Sequence, residues 1–459
     1  MLNVKDFGAI GDGTTDDSVS IRNAILALPA GGGDIYFPPG TYLVSREEGS
    51  TNAWCLRLPD NVMLLGSGRG ATILKLSAGQ QGDARILSAT FRSRITIRDL
   101  TIDGNKLEQT AANAEQQHGM FLDGCDETVI QNVAFRNTMG DSVYLSGASA
   151  RNCNETLISG CLFSGGERVH LHAHSFANLS ITGCHFLNSH ANNHIKQERS
   201  DAGLPASTGA TVTGCTFDGD SASEGIVFQG FDNITAGITV SGNVFRNLQR
   251  AVVIGRNSQG WCIVGNVIEN CTTGVQNVSF NLVPTFEDNR NNHVQISGNL
   301  IRNDVDPQMQ SEDPIPIHLS NCTVGSVYGN TVLANHTFAG IWISHCDKVS
   351  VNNNTIHVGT HDSQDYVRAL RIYRCRNCSA VANLIDVPDA QHPVGIMVGD
   401  DLSVSSNIVV QGNFIVGAVN PAIMVDGITD PSIVTLIGNL APSALANLDG
   451  VAQPGSPFL

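Results

Sequence analysis

The 459-residue sequence has few aromatic residues, few basic residues and no long hydrophobic run. Aromatic residues make up 6%, and 26 Lys and Arg stand against 42 Asp and Glu, for a formal net charge of −16. Nucleic acid and membrane surfaces favour a basic patch, so this charge argues against both as partners. An acidic polysaccharide is not excluded, because a local basic cleft can lie on an acidic protein. No apolar run is long enough to span a bilayer, and no charged-then-apolar leader follows Met1.

A short phrase recurs along most of the chain: a small residue or Asn, then Cys or Asn, then two residues of largely apolar character. Successive Cys or Asn positions are separated by 23 to 33 residues. A period of that size, built from short apolar runs and turn residues, is typical of a solenoid. The repeat and the 47 glycines predict short parallel strands separated by tight turns. We therefore predict an all-β parallel β-helix that forms a single domain over residues 1–459.

The twelve cysteines are predicted to be free thiols. Cys161, Cys184 and Cys215 occupy the position that Asn holds in later coils. In such a column each residue is a small buried packing group one coil from the next, which is not the geometry of a disulfide staple. Free thiols do not demand an oxidising compartment.

The two ends of the chain are predicted to differ from the regular coils. Asp16 or Asp17 can cap an amphipathic helix that covers the open end of the solenoid. One face of that helix would carry Ile21, Ala24, Ile25 and Leu28. Residues 1–45 are therefore assigned to this cap and the first strands, and residues 440–459 to an irregular tail.

Four segments resemble the pectate-lyase-like superfamily. They are Val4–Gly13 (VKDFGAIGDG), the helix after Asp16-Asp17, the Pro38–Tyr42 turn and Asp99–Asn105 (DLTIDGN). The superfamily consists of right-handed parallel β-helices and includes polysaccharide lyases, glycoside hydrolases, phage tailspike depolymerases and mannuronan C-5 epimerases. The resemblance implies this fold and a carbohydrate ligand, but it does not fix the reaction. Proteins of this kind often trimerise, so a homotrimer is left open, and the substrate class favours a secreted or extracellular location.

One comparison with the superfamily concerns the reaction directly. The catalytic coil of the epimerases resembles Gly-Tyr-Gly-Phe-Asp-Pro-His, whereas the matching stretch Gly140–Ser146 reads GDSVYLS. The Asp-Pro-His element is absent, which argues against epimerisation. The signatures of the polygalacturonase branch (paired Asp residues, His-Gly and Arg-Ile-Lys) are not evident either.

Polar residues interrupt the apolar rule in two coils, at residues 167–174 and 192–199. If alternate residues face inward, His170, His172 and His174 face outward, as do His194, Lys196 and Glu198. Adjacent coils lie about 4.8 Å apart, so these side chains would stack in columns. One predicted column is Phe121, Tyr144, His170, His194 and Val227, and the other is Asp123, Ser146, His172, Lys196 and Gln229.

These columns carry the groups that β-elimination on a uronic acid requires: a base, an acid and cations that neutralise the carboxylate. We predict His172 as the base and Tyr144 as the acid. Lys196, His194 and His170 would neutralise or orient the substrate. The predicted substrate-binding residues around them are Arg168, Arg199, Glu198, Gln229, Asp141, Glu167 and Asp123.

Other interpretations of the same residues remain open. The histidines could form an exposed polar ladder, or His170 and His172 could bind zinc with His174 or His194, but a flat sheet rarely supplies converging ligands. No metal or cofactor is therefore assigned, and calcium would depend on Asp123, Asp141 and Glu167. A hydrolase would need two carboxylates roughly 5–10 Å apart, which Asp141 and Glu167 could provide unless they are turn residues.

A second outward cluster surrounds Trp342 and Arg371. An exposed Trp can stack on a sugar face and arginines can hold uronates, so both are predicted to bind substrate, unless they lie in a subunit interface. The prediction as a whole is a polysaccharide lyase that acts on a uronic-acid polymer. The alternatives are a glycoside hydrolase or tailspike-type depolymerase using Asp141, Glu167 or Glu198, a C-5 epimerase, and a non-catalytic carbohydrate-binding or fibre protein.

Overall fold

The computed structural model describes residues 1–47, 54–109, 115–147, 151–188, 193–197, 203–230, 234–277, 291–304, 314–335, 337–359, 367–387, 393–399, 405–417, 421–428, 433–441 and 446–448. These residues divide into two compact units, Met1–Ala236 and Gly237–Leu459. The assignment of one domain to the whole chain stays a prediction. In the described ranges, no helix has the length and apolar character that crossing a membrane requires.

Short strands in each unit form all-parallel sheets, and each coil supplies one strand to each of three sheets. The predicted right-handed parallel β-helix is confirmed. Short strands separated by turns satisfy their backbone groups with the coil before and the coil after, as a solenoid requires.

Along the chain, each strand of sheet 1 from Val62–Leu65 onward follows a strand of sheet 3, the sheet that carries the candidate site. In unit 1 the strands of sheet 1 are Leu2–Asn3, Gly33–Tyr36, Val62–Leu65, Ser93–Arg98, Asp126–Gln131, Cys153–Ser159, Phe176–Thr182 and Ser207–Thr213. In unit 2 they are Thr235–Ser241 (whose first two residues precede the boundary), Ser258–Val264, Asn291–Ser297, Cys322–Tyr328, Val349–Asn352, Ser379–Val381, Ile408–Gln411 and Val434–Ile437.

Sheet 2 follows sheet 1 in every coil. Its strands in unit 1 are Asp12–Asp16, Gly40–Val44, Thr72–Leu76, Thr101–Asp103, Ala134–Arg136, Leu162–Ser164, His185–Leu187 and Thr216–Asp218. Its strands in unit 2 are Val244–Arg246, Val267–Glu269, Leu300–Asn303, Thr331–Ala334, Thr355–Val358, Leu384–Val387 and Phe414–Gly417.

Sheet 3 carries the predicted catalytic residues. Its strands in unit 1 are Trp54–Arg57, Arg85–Thr90, Met120–Asp123, Val143–Ser146, Leu171–Ala173, Ile195–Lys196 and Glu224–Phe228. Its strands in unit 2 are Arg250–Ile254, Thr273–Asn277, Ile315–Ser320, Ala339–Ser344, Val367–Tyr373, Pro393–Gly399, Ile423–Asp426 and Ala446–Leu448.

The predicted N-terminal helix is present at Ser18–Leu26, and two 3₁₀ turns lie at Val4–Phe7 and Lys106–Glu108. Ile21 and Ala24, on one face of this helix, are fully buried. Asp17 occupies the N-cap position without a side-chain capping bond, and its carboxylate instead accepts the N–H groups of Ile10 and Gly11. Asp16 accepts the backbone N–H of Ser18 at 2.9 Å. The helix therefore begins where the sequence predicts.

The interior of unit 1 is organised around stacked phenylalanines. Phe135, Phe163, Phe186 and Phe217 are fully buried, and the ring centroids of successive pairs lie 5.1, 4.7 and 4.8 Å apart. Each pair is in direct register on sheet 2. Burial of these apolar side chains is a main stabilising contribution to such coils.

The recurring Cys or Asn of the sequence repeat forms ladders along the coils. In unit 1 the backbone N–H of Cys161 meets Sγ of Cys184 at 3.4 Å, and the N–H of Cys184 meets Sγ of Cys215 at 3.4 Å. In unit 2 the side-chain amide of each Asn donates to Oδ1 of the next, at 2.9–3.0 Å. All twelve cysteines are free thiols, as predicted.

Candidate functional site

One outward-facing column on sheet 3 of unit 1 contains most of the predicted catalytic groups. The strand register pairs Phe121 with Tyr144, Tyr144 with His172, His172 with Lys196 and Lys196 with Val227. Tyr144, His172 and Lys196 are therefore lateral neighbours on three successive strands. Strands in a sheet are about 4.8 Å apart, so one sugar unit can contact all three side chains.

The two predicted columns are wrong in their register. Tyr144 pairs with His172 and not with His170, and Lys196 pairs with Val227 and not with Gln229. The pairings of Phe121 with Tyr144, of Asp123 with Ser146 and of His172 with Lys196 are as predicted. The predicted alignment shifts the coils of His170 and His194 by two residues relative to their neighbours. The alternation of side chains cannot reveal such a shift, because the side-chain period of a strand is two residues. In the observed register, the predicted acid Tyr144, the predicted base His172 and Lys196 lie in one column.

His170 and His194 do not face solvent, which contradicts their predicted role. His172 and His174, also predicted to face outward, are buried too, at 7% and 8% exposure. His170 and His194 are fully buried, and their Nδ1 atoms lie 3.1 Å apart. The ring of His170 packs against the stacked Phe163 and Phe186, with centroids 6.0 and 6.3 Å away. The alternation rule does not apply to His170 and His194, because each lies in the bend immediately before a strand of sheet 3. These strands begin at Leu171 and Ile195.

Asp141 is the central acidic group of the site. Its side chain is 1% exposed, Oδ1 accepts the backbone N–H of Val169 at 3.2 Å, and Oδ2 lies 3.2 Å from Nδ1 of His172. Burial raises the pKa of the Asp141 carboxyl, but the hydrogen bond from His172 and the nearby His118 and Arg168 lower the pKa more, so it lies below its ordinary value. Asp141 is therefore a buried carboxylate.

The contact with Asp141 decides the tautomer of His172. A carboxylate can only accept, so Nδ1 of His172 carries the proton and donates it to Oδ2 of Asp141. Nε2 of His172 then has a free lone pair, and it has no hydrogen-bond partner among the described residues. The imidazole is thus oriented and polarised as a general base requires.

His118 is a component that sequence reasoning missed. Its Nδ1 accepts the backbone N–H of Asp141 at 2.9 Å, and its Nε2 lies 3.2 Å from Oε1 of Gln116. Burial lowers the pKa of His118 to about 4, although Asp141 opposes the shift, so the ring is neutral near pH 7. A signal was available: His118 and Asp141 both lie two residues before the residues that pair on sheet 3, Met120 and Val143.

Aromatic rings surround Tyr144 on both neighbouring strands. Its ring centroid lies 4.5 Å from that of His172, 5.2 Å from His118 and 5.5 Å from Phe121. His174 is also close, at 6.0 Å. These contacts hold the phenol ring while its side chain keeps partial exposure at the sheet surface.

Cationic side chains line both sides of this column. Lys196 is half-buried beside His172, and Nε of Arg168 lies 3.6 Å from Oδ1 of Asp141 while its NH1 is bound to Glu115. On the other side, the guanidinium of Arg85 covers the ring of Phe121 at 3.7 Å. Burial lowers the pKa of Arg85 from its ordinary value. Lys196 and Arg85 therefore bring positive charge to the column, whereas the charge of Arg168 is balanced by Glu115 and Asp141.

The remaining predicted residues of unit 1 have different placements. Asp123 ends its strand beside Ser146, and burial raises the pKa of its carboxyl. Gln229 is 6% exposed, with an Oε1 that has no partner among the described residues. Glu167 is exposed and pairs with Lys106 at 3.3 Å. Glu198 and Arg199 lie outside the described residues.

Trp342 and Arg371 lie together in unit 2. They are in direct register on sheet 3, and the guanidinium of Arg371 lies 4.5 Å from the Trp342 ring centroid. The imidazole of His318 stacks on the same indole at 4.5 Å, with 13° between the ring planes. This predicted outward cluster therefore exists, as a cation and two stacked rings. In the part of the chain that the structure describes, no group of three or more His, Cys, Asp or Glu is arranged to hold a metal ion.

Because several histidines are buried, we expect the free energy of unfolding to decrease in acid. Burial lowers the pKa of His170 to about 3 and that of His194 well below 6.5, whereas both protonate near 6.5 in the unfolded chain. Between pH 6.5 and pH 4 the unfolded state therefore binds more protons, so the free energy of unfolding should decrease by about 1.4 kcal/mol per pH unit for each such histidine. His170→Gln, which cannot protonate, should reduce that slope by one histidine's share in urea unfolding measured across this range.

A matched control for that experiment is His185→Gln, which removes an exposed histidine on sheet 2 of the same unit. It should leave the pH dependence as in the unchanged protein. Equal slopes for His170→Gln and the unchanged protein would show that His170 titrates normally in the fold.

Comparison with known proteins gives matches to both parts of the chain. A family model described as Rhamnogalacturonase A/epimerase, pectate lyase-like matches residues 1–184, and one described as Periplasmic copper-binding protein (NosD) matches residues 187–357. Mannuronan C5-epimerase AlgE6 of Azotobacter vinelandii is 50% identical over 109 residues, which is 23% of this chain and 12% of that protein. Alginate lyase 7 of the same organism is 46% identical over 110 residues, covering 23% of this chain and 13% of that protein.

The matched segments thus span only about an eighth of the length of these relatives. Among solved structures, the N-terminal fragment of gene product 12 from bacteriophage phi29 has a TM-score of 0.52 at 16% sequence identity. That similarity covers 98% of this chain and 72% of the fragment, and it concerns the fold alone. The family model and the mannuronan C5-epimerase relatives confirm the resemblance noted in the sequence.

Proposed function

We propose that this pectate-lyase-like β-helix acts on a polysaccharide that contains uronic acid, and that it cleaves the polymer by β-elimination. The observation that carries the proposal is the column of Tyr144, His172 and Lys196, with the buried carboxylate of Asp141 behind His172. Relatives named as an alginate lyase and as mannuronan C5-epimerases support a polysaccharide as the substrate class.

His172 is the base in the proposed reaction. Its Nε2 takes the proton from the carbon next to the uronate carboxylate, and the imidazolium that forms is stabilised by Asp141 through Nδ1. Because Asp141 is buried and already ionised, it does not need to move or to exchange a proton during this step. Its role is to orient His172 and to balance its charge.

Tyr144 is the acid in the same scheme. The electron pair released from the C–H bond forms the new carbon–carbon double bond as the bond to the glycosidic oxygen breaks. The phenol of Tyr144 donates its proton to that departing oxygen. The close approach of the Tyr144 and His172 rings, with centroids 4.5 Å apart, allows both groups to reach adjacent atoms of one sugar.

Positive charge is needed because proton loss places negative charge on the uronate carboxylate. Lys196 is the neighbour of His172 in the column and is the proposed partner of that carboxylate. Arg85 adds positive charge around it, while Asp123 and Gln229 are proposed to contact sugar hydroxyls. Trp342 and Arg371 are proposed as a separate sugar contact in unit 2.

Epimerisation is the second candidate, and the relatives named mannuronan C5-epimerases favour it. It begins with the same proton abstraction, after which a proton returns to the opposite face of the carbon and no bond to the glycosidic oxygen breaks. The two reactions therefore share His172 and differ in the fate of the intermediate.

Hydrolysis finds less support in the placement of the carboxylates. Asp141 is bonded to His172 and is 1% exposed, whereas Glu167 is exposed and pairs with Lys106. Hydrolysis would require two carboxylates that both reach the scissile bond. Glu198, the third predicted carboxylate, lies outside the described residues.

The test is incubation with a panel of uronic and neutral polysaccharides in D₂O. Three products are followed together: ultraviolet absorbance of unsaturated uronate, reducing ends, and deuterium at C-5 by NMR. We expect absorbance and reducing ends to rise together on a uronate polymer. Deuterium without new ends would establish epimerisation, reducing ends without absorbance would establish hydrolysis, and no change on any uronate polymer would overturn the proposal.

A further inference from the structure

A cleft of about 510 Å³ opens in unit 1 beside the first strand of sheet 3. Trp54 and Arg57, at the two ends of this strand, line it together with the end of the N-terminal helix at Leu26. The turns Leu58–Asp60 and Ala89–Arg92 complete the wall. The cleft therefore combines an apolar floor with a few polar groups, as ligand sites commonly do.

Two groups in this cleft lack the partners that their chemistry demands. The indole Nε1 of Trp54 is buried and has no hydrogen-bond acceptor among the described residues. The guanidinium of Arg57 lies 4.4 Å from the Trp54 ring centroid, and no carboxylate of the described residues pairs with it. By contrast, Arg92 in the same cleft is neutralised by Asp60 at 3.0 Å. The exposed guanidinium of Arg57, beside a half-buried indole ring, is thus available to an anionic ligand with an apolar face.

The position of the cleft connects it to the catalytic column. On sheet 3 Arg57 pairs with Ser88, Ser88 with Phe121, and Phe121 with Tyr144. Three strand steps of about 4.8 Å separate Arg57 from Tyr144 along the outward face. A polymer that crosses the strands at Tyr144 and continues along the column reaches Arg57 within a few sugar units.

We propose that this cleft is a distal binding subsite for a uronate unit of the same polymer, an inference that rests on the proposed function. Arg57 binds the carboxylate, and the half-buried ring of Trp54 with the apolar lining receives a carbon face of the sugar. An isolated sulfate or phosphate would satisfy only Arg57. The occupied subsite would hold the chain in register with Tyr144 and His172 and so give long substrates an advantage.

The test measures the binding of uronate oligomers of increasing length to a Tyr144→Phe background, in which turnover does not interfere. Arg57→Gln should weaken the binding of long oligomers by about tenfold, because one charge-assisted contact is lost. Short oligomers should bind as before, since they do not reach the cleft. Arg94→Gln, which removes an exposed arginine on sheet 1 of unit 1, is the matched control and should change neither affinity.

A second readout uses the small number of tryptophans, three in the whole chain. In a Trp342→Phe background, long oligomers should change the fluorescence of Trp54, since Trp261 is 1% exposed and insulated from ligand. Trp54→Phe should abolish that change. Long oligomers that quench no more than short ones would contradict the subsite.

The two proposals can fail separately in these experiments. Length-dependent binding that Arg57→Gln weakens, without any turnover by the unchanged protein, would keep the subsite and overturn the enzyme. Turnover with an Arg57→Gln variant that binds every oligomer normally would overturn the subsite alone. A protein that binds neutral and uronate oligomers equally would contradict the role given to Arg57.

Discussion

Replacing His172 with Gln should lower turnover on the preferred uronate polymer by about 10²–10⁴-fold, the usual contribution of a positioned general base. The Gln amide can still donate to Asp141, so the buried carboxylate keeps a partner and the fold should be retained. It has no basic lone pair with which to take a proton from carbon. The measurement is the steady-state rate on the polymer, with kcat and KM determined separately and circular dichroism recorded for folding.

The expected pattern is a loss in kcat with little change in KM, because the substitution removes proton transfer and leaves the positive groups that bind the substrate. His185→Gln, an exposed histidine on another sheet, should have unchanged kinetics. Full activity of folded His172→Gln would remove His172 from the mechanism. A loss confined to KM would instead assign it a binding role.

The sequence predicts the fold well because the repeat is a local signal that every coil carries. The predicted outward positions of Tyr144, Trp342 and Arg371 on sheet 3 are partly exposed, as expected. The equivalence of Cys and Asn in the repeat phrase also predicts that both occupy one kind of buried position. The structure shows why: the side chain of each can accept a backbone N–H from the coil before it.

The candidate site was predictable in its composition but not in its register. The coil lengths vary, so counting along the sequence cannot decide whether His170 or His172 lies beside Tyr144. A residue in the bend before a strand does not follow the alternation of strand side chains. For this reason the side chains of His170 and His194 are buried in the interior. Asp141 lies in the turn before its strand, and no periodic pattern in the sequence predicts the geometry of that turn. The sequence therefore could not identify Asp141 as the partner of His172.

Replacing Asn330 with Leu should lower the free energy of unfolding by about 3–5 kcal/mol, because it leaves several buried polar groups without partners. Oδ1 of Asn330 accepts both the backbone N–H and the side-chain amide of Asn299, at 3.0 and 2.9 Å. Its own amide donates to the carbonyl of Ile296 and to Oδ1 of Asn354, at 2.9 and 3.0 Å. Leu has a similar branched shape but is larger, and it satisfies none of these groups. Urea unfolding followed by circular dichroism measures the change.

Asn330→Cys is the matched comparison, because the chain itself places Cys at this position in the coils of Cys161, Cys184 and Cys215. A thiol accepts the backbone N–H only weakly, at 3.4 Å in those coils, yet it also donates to a carbonyl. It should therefore cost less stability than Leu does. If Leu and Cys destabilise equally, the weak contacts of the thiol contribute no measurable stability to the ladder. If Leu is tolerated without loss, the coils must repack around the orphaned Asn299, which would make each ladder position energetically independent of the next.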